Sequence, residues 1–454
     1  MEFGLGNNEM GFMKNITIIS YLIFGILVSF YQNSNAINLH QAQEILLSEN
    51  PDLTILKLEV EKANSQIEET RASFYPSIDA VSNYSYTSET PKLRLDLPFP
   101  APGGTHIDRE LGDHDKMEFG IDATYPIFTG FSRGQNIKAK NAGLAMKTAQ
   151  WQGAKNQMSL KLGSLYYAWQ LASAQAKFQE KVLSYSQDLE KQMQSFVRAG
   201  TAVRSRALAA EAKAKATEVE LLAAQNTRDS LALEVVEFLG AKDLTTNPSL
   251  ELSEDTTLAP QPDWNTINSV QKNRPETEVF IQGMEQMEHS IQAMKGQKYP
   301  QLYGIAGLRY ANPGLDLSGD SFMTYGLVGL QLKWNLFDGF KNSSQRKQLE
   351  YTAQELAEQK RKLIQDFYKT SISAKLQYTR WAAQYEAAMA SRNAAEAAAK
   401  DLKHQFEVGV ATGLEWLDAR NNQAKAELSM EQARTMQRIA LMQWDYANGK
   451  ELRF

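Results

Sequence analysis

Residues 125–131 read Tyr125-Pro126-Ile127-Phe128-Thr129-Gly130-Phe131, and residues 334–340 read Trp334-Asn335-Leu336-Phe337-Asp338-Gly339-Phe340. Both place an aromatic residue three positions before Phe, and both end in x-Gly-Phe, at an offset of 209. The same offset relates Gly200 to Gly409, Leu208 to Leu417 and Gly240 to Gly449. Upstream, Asn50-Pro51 and Tyr75-Pro76 return as Arg274-Pro275 and Tyr299-Pro300 at an offset of 224. Ordered landmarks at two fixed offsets show that the chain is written twice. The shift between the offsets falls between the Tyr-Pro and Phe-x-Gly-Phe segments, so the copies differ mainly in one loop, longer in the first copy.

Each copy reads helix, strand, loop, strand, long helix, turn, long helix. Residues 76–87 alternate, with Ile78, Ala80, Ser82, Tyr84 and Tyr86 on one face. Residues 116–125 alternate more sharply: Met117, Phe119, Ile121, Ala123 and Tyr125 face one way, and Lys116, Glu118, Asp122 and Thr124 the other. Residues 301–310 and 324–334 repeat the pattern through Leu302, Leu308, Tyr310, Val328, Leu330, Leu332 and Trp334. Period two predicts half-exposed strands. Runs of about ten residues have the length of tilted strands that cross a bilayer. Aromatic residues at their ends, Tyr75, Tyr125, Tyr299 and Trp334 beside Pro76, Pro126 and Pro300, suit the membrane–water interface and the strand junctions.

The helical stretches are far longer than the globular mean of about 11–12 residues. Residues 133–195 contain no proline, and residues 341–404 contain neither proline nor glycine. At 1.5 Å per residue, a 60-residue helix rises roughly 90 Å. Apolar positions along it are sparse, and small residues such as Ala394, Ala395, Ala397, Ala398 and Ala399 permit close helix packing. Such helices need lateral partners.

The expected organisation follows. Residues 1–36 hold an upstream segment and a signal peptide, 37–240 the first repeat, 241–263 an irregular equatorial linker and 264–454 the second repeat. Strands are expected at about 76–87, 116–126, 300–311 and 323–335, and long helical hairpins at 133–239 and 341–447. The signal peptide rests on Met13-Lys14-Asn15, the apolar run Ile16–Phe30 and the small residues Ser34 and Ala36. Its apolar run is short for a membrane span of about 20 residues, which points to cleavage near Ile37 rather than a retained anchor.

Composition narrows the function. The net charge is −5, which argues against a nucleic-acid partner. Cysteine is absent and only five histidines occur, so thiol chemistry is excluded and imidazole metal sites have little material. No nucleophile constellation and no Gly-rich phosphate loop appear, so neither an enzyme nor a bound cofactor is expected. The loop 87–115 carries His106, Asp108, Glu110, Asp113, His114 and Asp115. A metal site there is conceivable, but a solvated surface loop is the expectation.

Four strands cannot close a membrane barrel, because known barrels start at eight strands. An open edge in lipid leaves backbone groups unpaired at several kcal/mol each. Three protomers would supply twelve strands, and strand count alone also permits two.

With these landmarks, the chain resembles the TolC-like outer membrane efflux protein (outer membrane factor) family over essentially the whole mature sequence. The carriers are the Asn-Pro/Arg-Pro and Tyr-Pro segments, the Phe-x-Gly-Phe strand exits, and the turns Phe196-Val-Arg-Ala-Gly200-Thr201 and Phe406-Glu-Val-Gly409-Val-Ala-Thr-Gly413. The resemblance implies an α+β membrane protein. Four strands per protomer would join a trimeric twelve-stranded β-barrel continued by a periplasmic α-helical barrel. It implies a passive exit duct in the outer membrane of a Gram-negative type envelope. Its partners would be outer-membrane lipid, a periplasmic adapter (membrane fusion) protein and an inner-membrane transporter of RND or ABC type. The family's acidic periplasmic aperture falls on Glu415 and Asp418, and its adapter-docking tips on Gly200, Thr201, Arg204, Gly409, Thr412 and Gly413. Arg198, Arg204 and Arg206 make the first tip basic and would pair with acids such as Glu415 on a neighbouring hairpin, or face solvent. Small-molecule efflux leads as the function. Type I protein secretion and a periplasmic coiled-coil scaffold without a pore are the alternatives.

Overall fold

The computed structural model describes residues 36–90, 92–101, 104–110, 113–240, 252–262, 264, 274–312, 314–315 and 321–454. The expected signal peptide and most of the expected linker lie outside the described residues. Helices α1 (Leu39–Glu49) and α2 (Pro51–Ala72) precede strands β1 (Ser77–Tyr86), β2 (Lys92–Ala101), β3 (Gly104–Glu110) and β4 (Asp115–Phe128). Helices α3 (Ser132–Arg198) and α4 (Arg204–Leu239) close the first copy. The second copy runs α5 (Pro275–Gly296), β5 (Gln301–Asn312), β6 (Met323–Lys333), α6 (Lys341–Glu407) and α7 (Gly413–Ala447).

The repeated landmarks are the punctuation of these elements. Pro51 and Pro275 each open a helix at its first position, where no intrahelical N–H is needed. Asn50 caps the first, its Oδ1 accepting from the backbone of Asp52 (2.9 Å) and Leu53 (3.2 Å). Tyr75-Pro76 and Tyr299-Pro300 stand immediately before β1 and β5. Tyr125-Pro126 lies within β4, where the β4–β5 register shifts between Pro126 and Phe128. At the strand exits, Gly130, Phe131, Gly339 and Phe340 all take positive φ, between 64° and 67°. The phenylalanines offset that conformation with edge-on ring contacts, Phe128–Phe131 at 5.2 Å and Phe337–Phe340 at 5.7 Å.

By contacts the chain divides into two units, one formed by residues up to Thr54, Ala154–Lys272 and Phe367–Phe454, the other by Ile55–Gly153 and Asn273–Asp366. The first unit holds the main apolar cluster, where Leu46, Leu162, Tyr166, Val235 and Leu239 are fully buried and Leu39 and Met442 nearly so. The segment 252–262 is pinned to the helices of this unit by polar contacts. Tyr166 donates to the Ser253 carbonyl, Arg438 pairs with Asp255, and Tyr378 donates to the Pro260 carbonyl at 3.0 Å. The C-terminus folds in as well, with the Gln43 amide donating to the Leu452 carbonyl (2.6 Å) and accepting from the Phe454 N–H (3.1 Å).

The second unit holds one antiparallel four-stranded sheet in the order β1-β4-β5-β6. Its register matches the alternation: Ile78 faces Ala123, Ala80 faces Ile121, Ser82 faces Phe119 and Tyr84 faces Met117. Ile78, Tyr84, Met117, Phe119 and Ile121 are exposed in the protomer, as are Val328, Leu330 and Leu332. An apolar sheet face open to solvent is the signature of lipid contact.

The expected loop 87–115 is corrected here, because it contains the antiparallel hairpin β2–β3, paired from Lys92↔Glu110 to Ala101↔Gly104. The side chains of His106 and Asp108 lie outside the described residues. The others are locally engaged. Glu110 pairs with Lys92 at 3.3 Å. The His114 Nδ1 lies 2.8 Å from the Thr87 carbonyl, Asp113 accepts from the His114 N–H (2.7 Å) and Asp115 accepts from the Tyr84 hydroxyl (2.6 Å). Among the described residues no His, Asp or Glu group is arranged to hold a metal, and no helix is long and apolar enough to cross a membrane.

Candidate channel site

Two helix reversals carry the predicted tip residues, and they are built alike. After α3, Gly200 takes φ +74°, and the Thr201 N–H reaches the Phe196 carbonyl at 2.9 Å. After α6, Gly409 takes φ +79°, and the Val410 N–H reaches the Gln405 carbonyl at 2.8 Å. A left-handed glycine with such a six-residue closure satisfies the last helical carbonyls, which a side-chained residue does less readily. The equivalence places Phe196 opposite Gln405, so the aromatics Phe196 and Phe406 are not counterparts.

The next helices start differently. Val203 precedes α4 without a side-chain cap. Thr412 caps α7 in a full capping box: its Oγ1 accepts from the Glu415 N–H (3.2 Å), while Glu415 Oε2 accepts from the Thr412 N–H (2.7 Å) and hydroxyl (2.8 Å). The Thr412 backbone bond, then the hydroxyl bond, hold the Glu415 carboxyl below the usual carboxylate range. Of the two predicted aperture acids, Glu415 is thus tied to the helix start. Asp418 lies one turn later on the same face. Arg204 and Arg206 are exposed and form no ion pair in the protomer among the described residues, while Arg198 donates to Ser195 Oγ at 3.3 Å.

Gly413 packs where a Cβ would stand 3.1 Å from Leu189 Cδ1, which seats the start of α7 against α3. Just beyond it, Phe406 and Trp416 stack in parallel at 5.4 Å. The Arg420 guanidinium lies 3.7 Å from the Tyr185 ring centroid and 5.3 Å from that of Trp416. Lys181 pairs with Glu427 at 2.5 Å further along the same helices.

Sequence reasoning missed the apolar residues at the tips. Val203, Val408, Val410 and Leu414 are all exposed, Val410 at 76%. Their signal was an apolar residue within a glycine turn, where polar residues normally stand. It also missed Arg309, the one charge in β5. Its Nε lies 2.5 Å from Glu118 and its Nη2 2.6 Å from Asp122, both on β4. Arg309 crosses over Gly120, where a Cβ would come within 2.6 Å of its guanidinium. The face opposite Phe119 and Ile121 is therefore the polar one, fit for a lumen.

The profile of the outer membrane efflux protein family matches residues 43–241 and 266–448, which takes in both copies and both reversals. The chain belongs to the outer membrane efflux protein family. No curated protein matches it by sequence. Among solved structures it is similar to the CmeC outer membrane channel of Campylobacter jejuni, with a TM-score of 0.75 at 14% identity, over 93% of this chain and 88% of that one. It is similar also to a membrane protein from Pseudomonas aeruginosa (TM-score 0.72, 16% identity, 91% of each chain). The outer membrane protein VceC of Vibrio cholerae gives a TM-score of 0.69 at 16% identity, over 91% of this chain and 96% of that one. Like its family, this efflux protein is a passive trimeric outer-membrane channel with a large periplasmic portion. The protomer's four-stranded sheet and long helical hairpins match the fold of these channels.

Proposed function

We propose that this outer-membrane duct is the exit of a tripartite efflux assembly that exports small molecules. A periplasmic adapter docks on the hairpin tips, and an inner-membrane transporter of RND or ABC type supplies the energy. The observation that carries this reading is the pair of matched glycine turns, Gly200-Thr201 and Gly409, which present Val203, Val408, Val410 and Leu414 uncovered. Apolar residues on exposed turns mark a surface for a partner. Arg204 adds charge to the first tip, and Thr412 and Gly413 fix the second. Tyr75, Tyr125, Tyr299 and Trp334, with Pro76, Pro126 and Pro300, anchor the strand ends at the membrane interface.

Glu415 and Asp418 line the periplasmic aperture, six carboxylates in a trimer, and favour cations there. Single-channel reversal potentials test this with the E415Q/D418N variant. A glutamine side chain at position 415 keeps an oxygen for Thr412, so the cap survives and only charge is lost. The expected result is reduced cation preference, and unchanged selectivity rejects the aperture assignment. For the cargo, the duct is expressed with its own adapter and transporter in an efflux-deficient host. Restored resistance to small toxic compounds supports efflux. Secretion of a protein substrate with unchanged susceptibility overturns it.

A further inference from the structure

The two membrane hairpins are one ladder used twice. Moving β1 residues forward by 224 and β4 residues by 209 turns the pair Ser77↔Thr124 into Gln301↔Lys333, and Tyr86↔Asp115 into Tyr310↔Thr324. Both derived pairs are present in β5–β6. The sequence offsets therefore hold as geometry, residue for residue. One further seam, β4–β5, joins the copies inside the protomer, while β1 and β6 are the outer edges of the sheet. In a closed barrel those edges must pair with another copy, because unpaired strand edges are not tolerated in lipid.

We infer that β6 pairs with β1 of the partner subunit in the register that the β4–β5 seam dictates. Carrying that seam across by the same offsets turns Ile121↔Leu308 into Leu330 opposite Tyr84 of the partner subunit. Phe119↔Tyr310 becomes Val328 opposite Tyr86 of the partner subunit, and Asp122↔Gly307 becomes Gln331 opposite Asn83 of the partner subunit. The chemistry agrees with the arithmetic. Val328 (89% exposed), Leu330 (72%) and Tyr84 (64%) are uncovered in the protomer, and the register sets apolar against apolar and amide against amide. A one-residue slip would turn one strand's apolar side chains into the lumen.

The two seams differ in what holds them. Arg309, Glu118 and Asp122 clamp β4 to β5. Their counterparts on the outer edges are Ser85, Leu327 and Gln331, so the subunit seam has no ionic clamp at those positions and rests on aliphatic–tyrosine pairs. The transfer ends with the ladder. Ala72 stands where Gly296 lies, and a Cβ at Gly296 would come 2.4 Å from the Gly130 carbonyl.

The chain has no cysteine, so introduced pairs report without background. Directly opposed residues lie about 4.5–5.5 Å apart between Cα atoms, within disulfide reach, whereas a two-residue slip leaves them farther than about 7 Å. The variants L330C/Y84C and Q331C/N83C are purified as trimers under reducing conditions, and their conductance confirms assembly. Mild oxidation should then give covalent trimers on non-reducing gels, on the order of tenfold faster than the slipped pairs L330C/S82C and L330C/Y86C. A slipped pair that cross-links as fast or faster overturns the register. Conducting trimers in which no pair cross-links overturn the seam itself. Monomers under reducing conditions would instead contradict the trimeric assembly.

Discussion

Substituting alanine at Gly130 and, separately, at Gly339 isolates the cost of one close backbone approach. Both glycines end a membrane hairpin, both take φ +64°, and both precede a phenylalanine with positive φ. The left-handed conformation costs an alanine about 1–2 kcal/mol at either site. Their surroundings in the protomer differ. A Cβ at Gly130 would lie 2.0 Å from the Gly296 carbonyl oxygen and 3.1 Å from Tyr299 Cβ, whereas a Cβ at Gly339 meets nothing within 4 Å. The contact at Gly130 is backbone against backbone, and Gly296 is itself held by the end of α5, so no rotamer relieves it. Overpacking of this kind costs about 1–3 kcal/mol. Gly130→Ala is then expected to destabilise each protomer by about 2–5 kcal/mol and Gly339→Ala by about 1–2 kcal/mol. The readout is the temperature at which purified trimers dissociate in mild detergent, with the yield of trimer in the membrane measured in parallel. G339A should stay close to the parent, while G130A should lose trimer or melt well below it. Equal losses at both sites would refute the argument, since the shared strain would then account for the whole effect.

Two further outcomes follow from polar contacts in the helical portion. Thr412→Ala removes the hydroxyl half of the capping box, so backbone amides 414–416 should exchange hydrogen faster, while Thr412→Ser should protect them nearly as the parent does. In Glu254, burial raises the carboxyl pKa, but hydrogen bonds from Lys177 and Ser173 with the charges of Lys177 and Arg434 outweigh it, leaving the group below its ordinary value. A lowered folded pKa gives stability that is present above the unfolded carboxylate pKa, about 4.3, and is lost as pH falls through the folded value. Acid denaturation followed by circular dichroism should therefore steepen below about pH 4 in the parent, and K177M/S173A should flatten that part of the curve.

The duplication was legible because its landmarks are residues with hard backbone requirements. Pro51 and Pro275 must open helices, and Gly200 and Gly409 must take the left-handed turn, so they persist through copies that otherwise share little. The four long strands were legible because their apolar faces meet lipid and cannot drift. The β2–β3 hairpin was not read, although Leu93, Leu95 and Leu97 alternate, because Pro98, Pro100 and Pro102 argue against a paired strand. Glu415 was legible as an acid after a turn, but only geometry reveals that one of its oxygens is held by Thr412. The exposed valines at the tips and the Arg309 clamp depend on what their neighbours leave open, which local pattern does not encode.

The two reversals share a glycine turn but not its fastening, and this sets how easily each opens locally. Gly200 and Gly409 make equivalent closures, so neither turn is stiffer by backbone alone. The second is locked from both sides: Thr412 and Glu415 cap α7, Gly413 sits against Leu189, and Arg420 lies over Tyr185 and Trp416. The first has no side-chain cap at Val203, and its arginines Arg204 and Arg206 engage no acid of the protomer among the described residues. A helix end without a cap leaves orphan donors to water and frays more easily. Local opening therefore meets least resistance where α3 turns into α4, while the start of α7, with Asp418 one turn in, is held against α3.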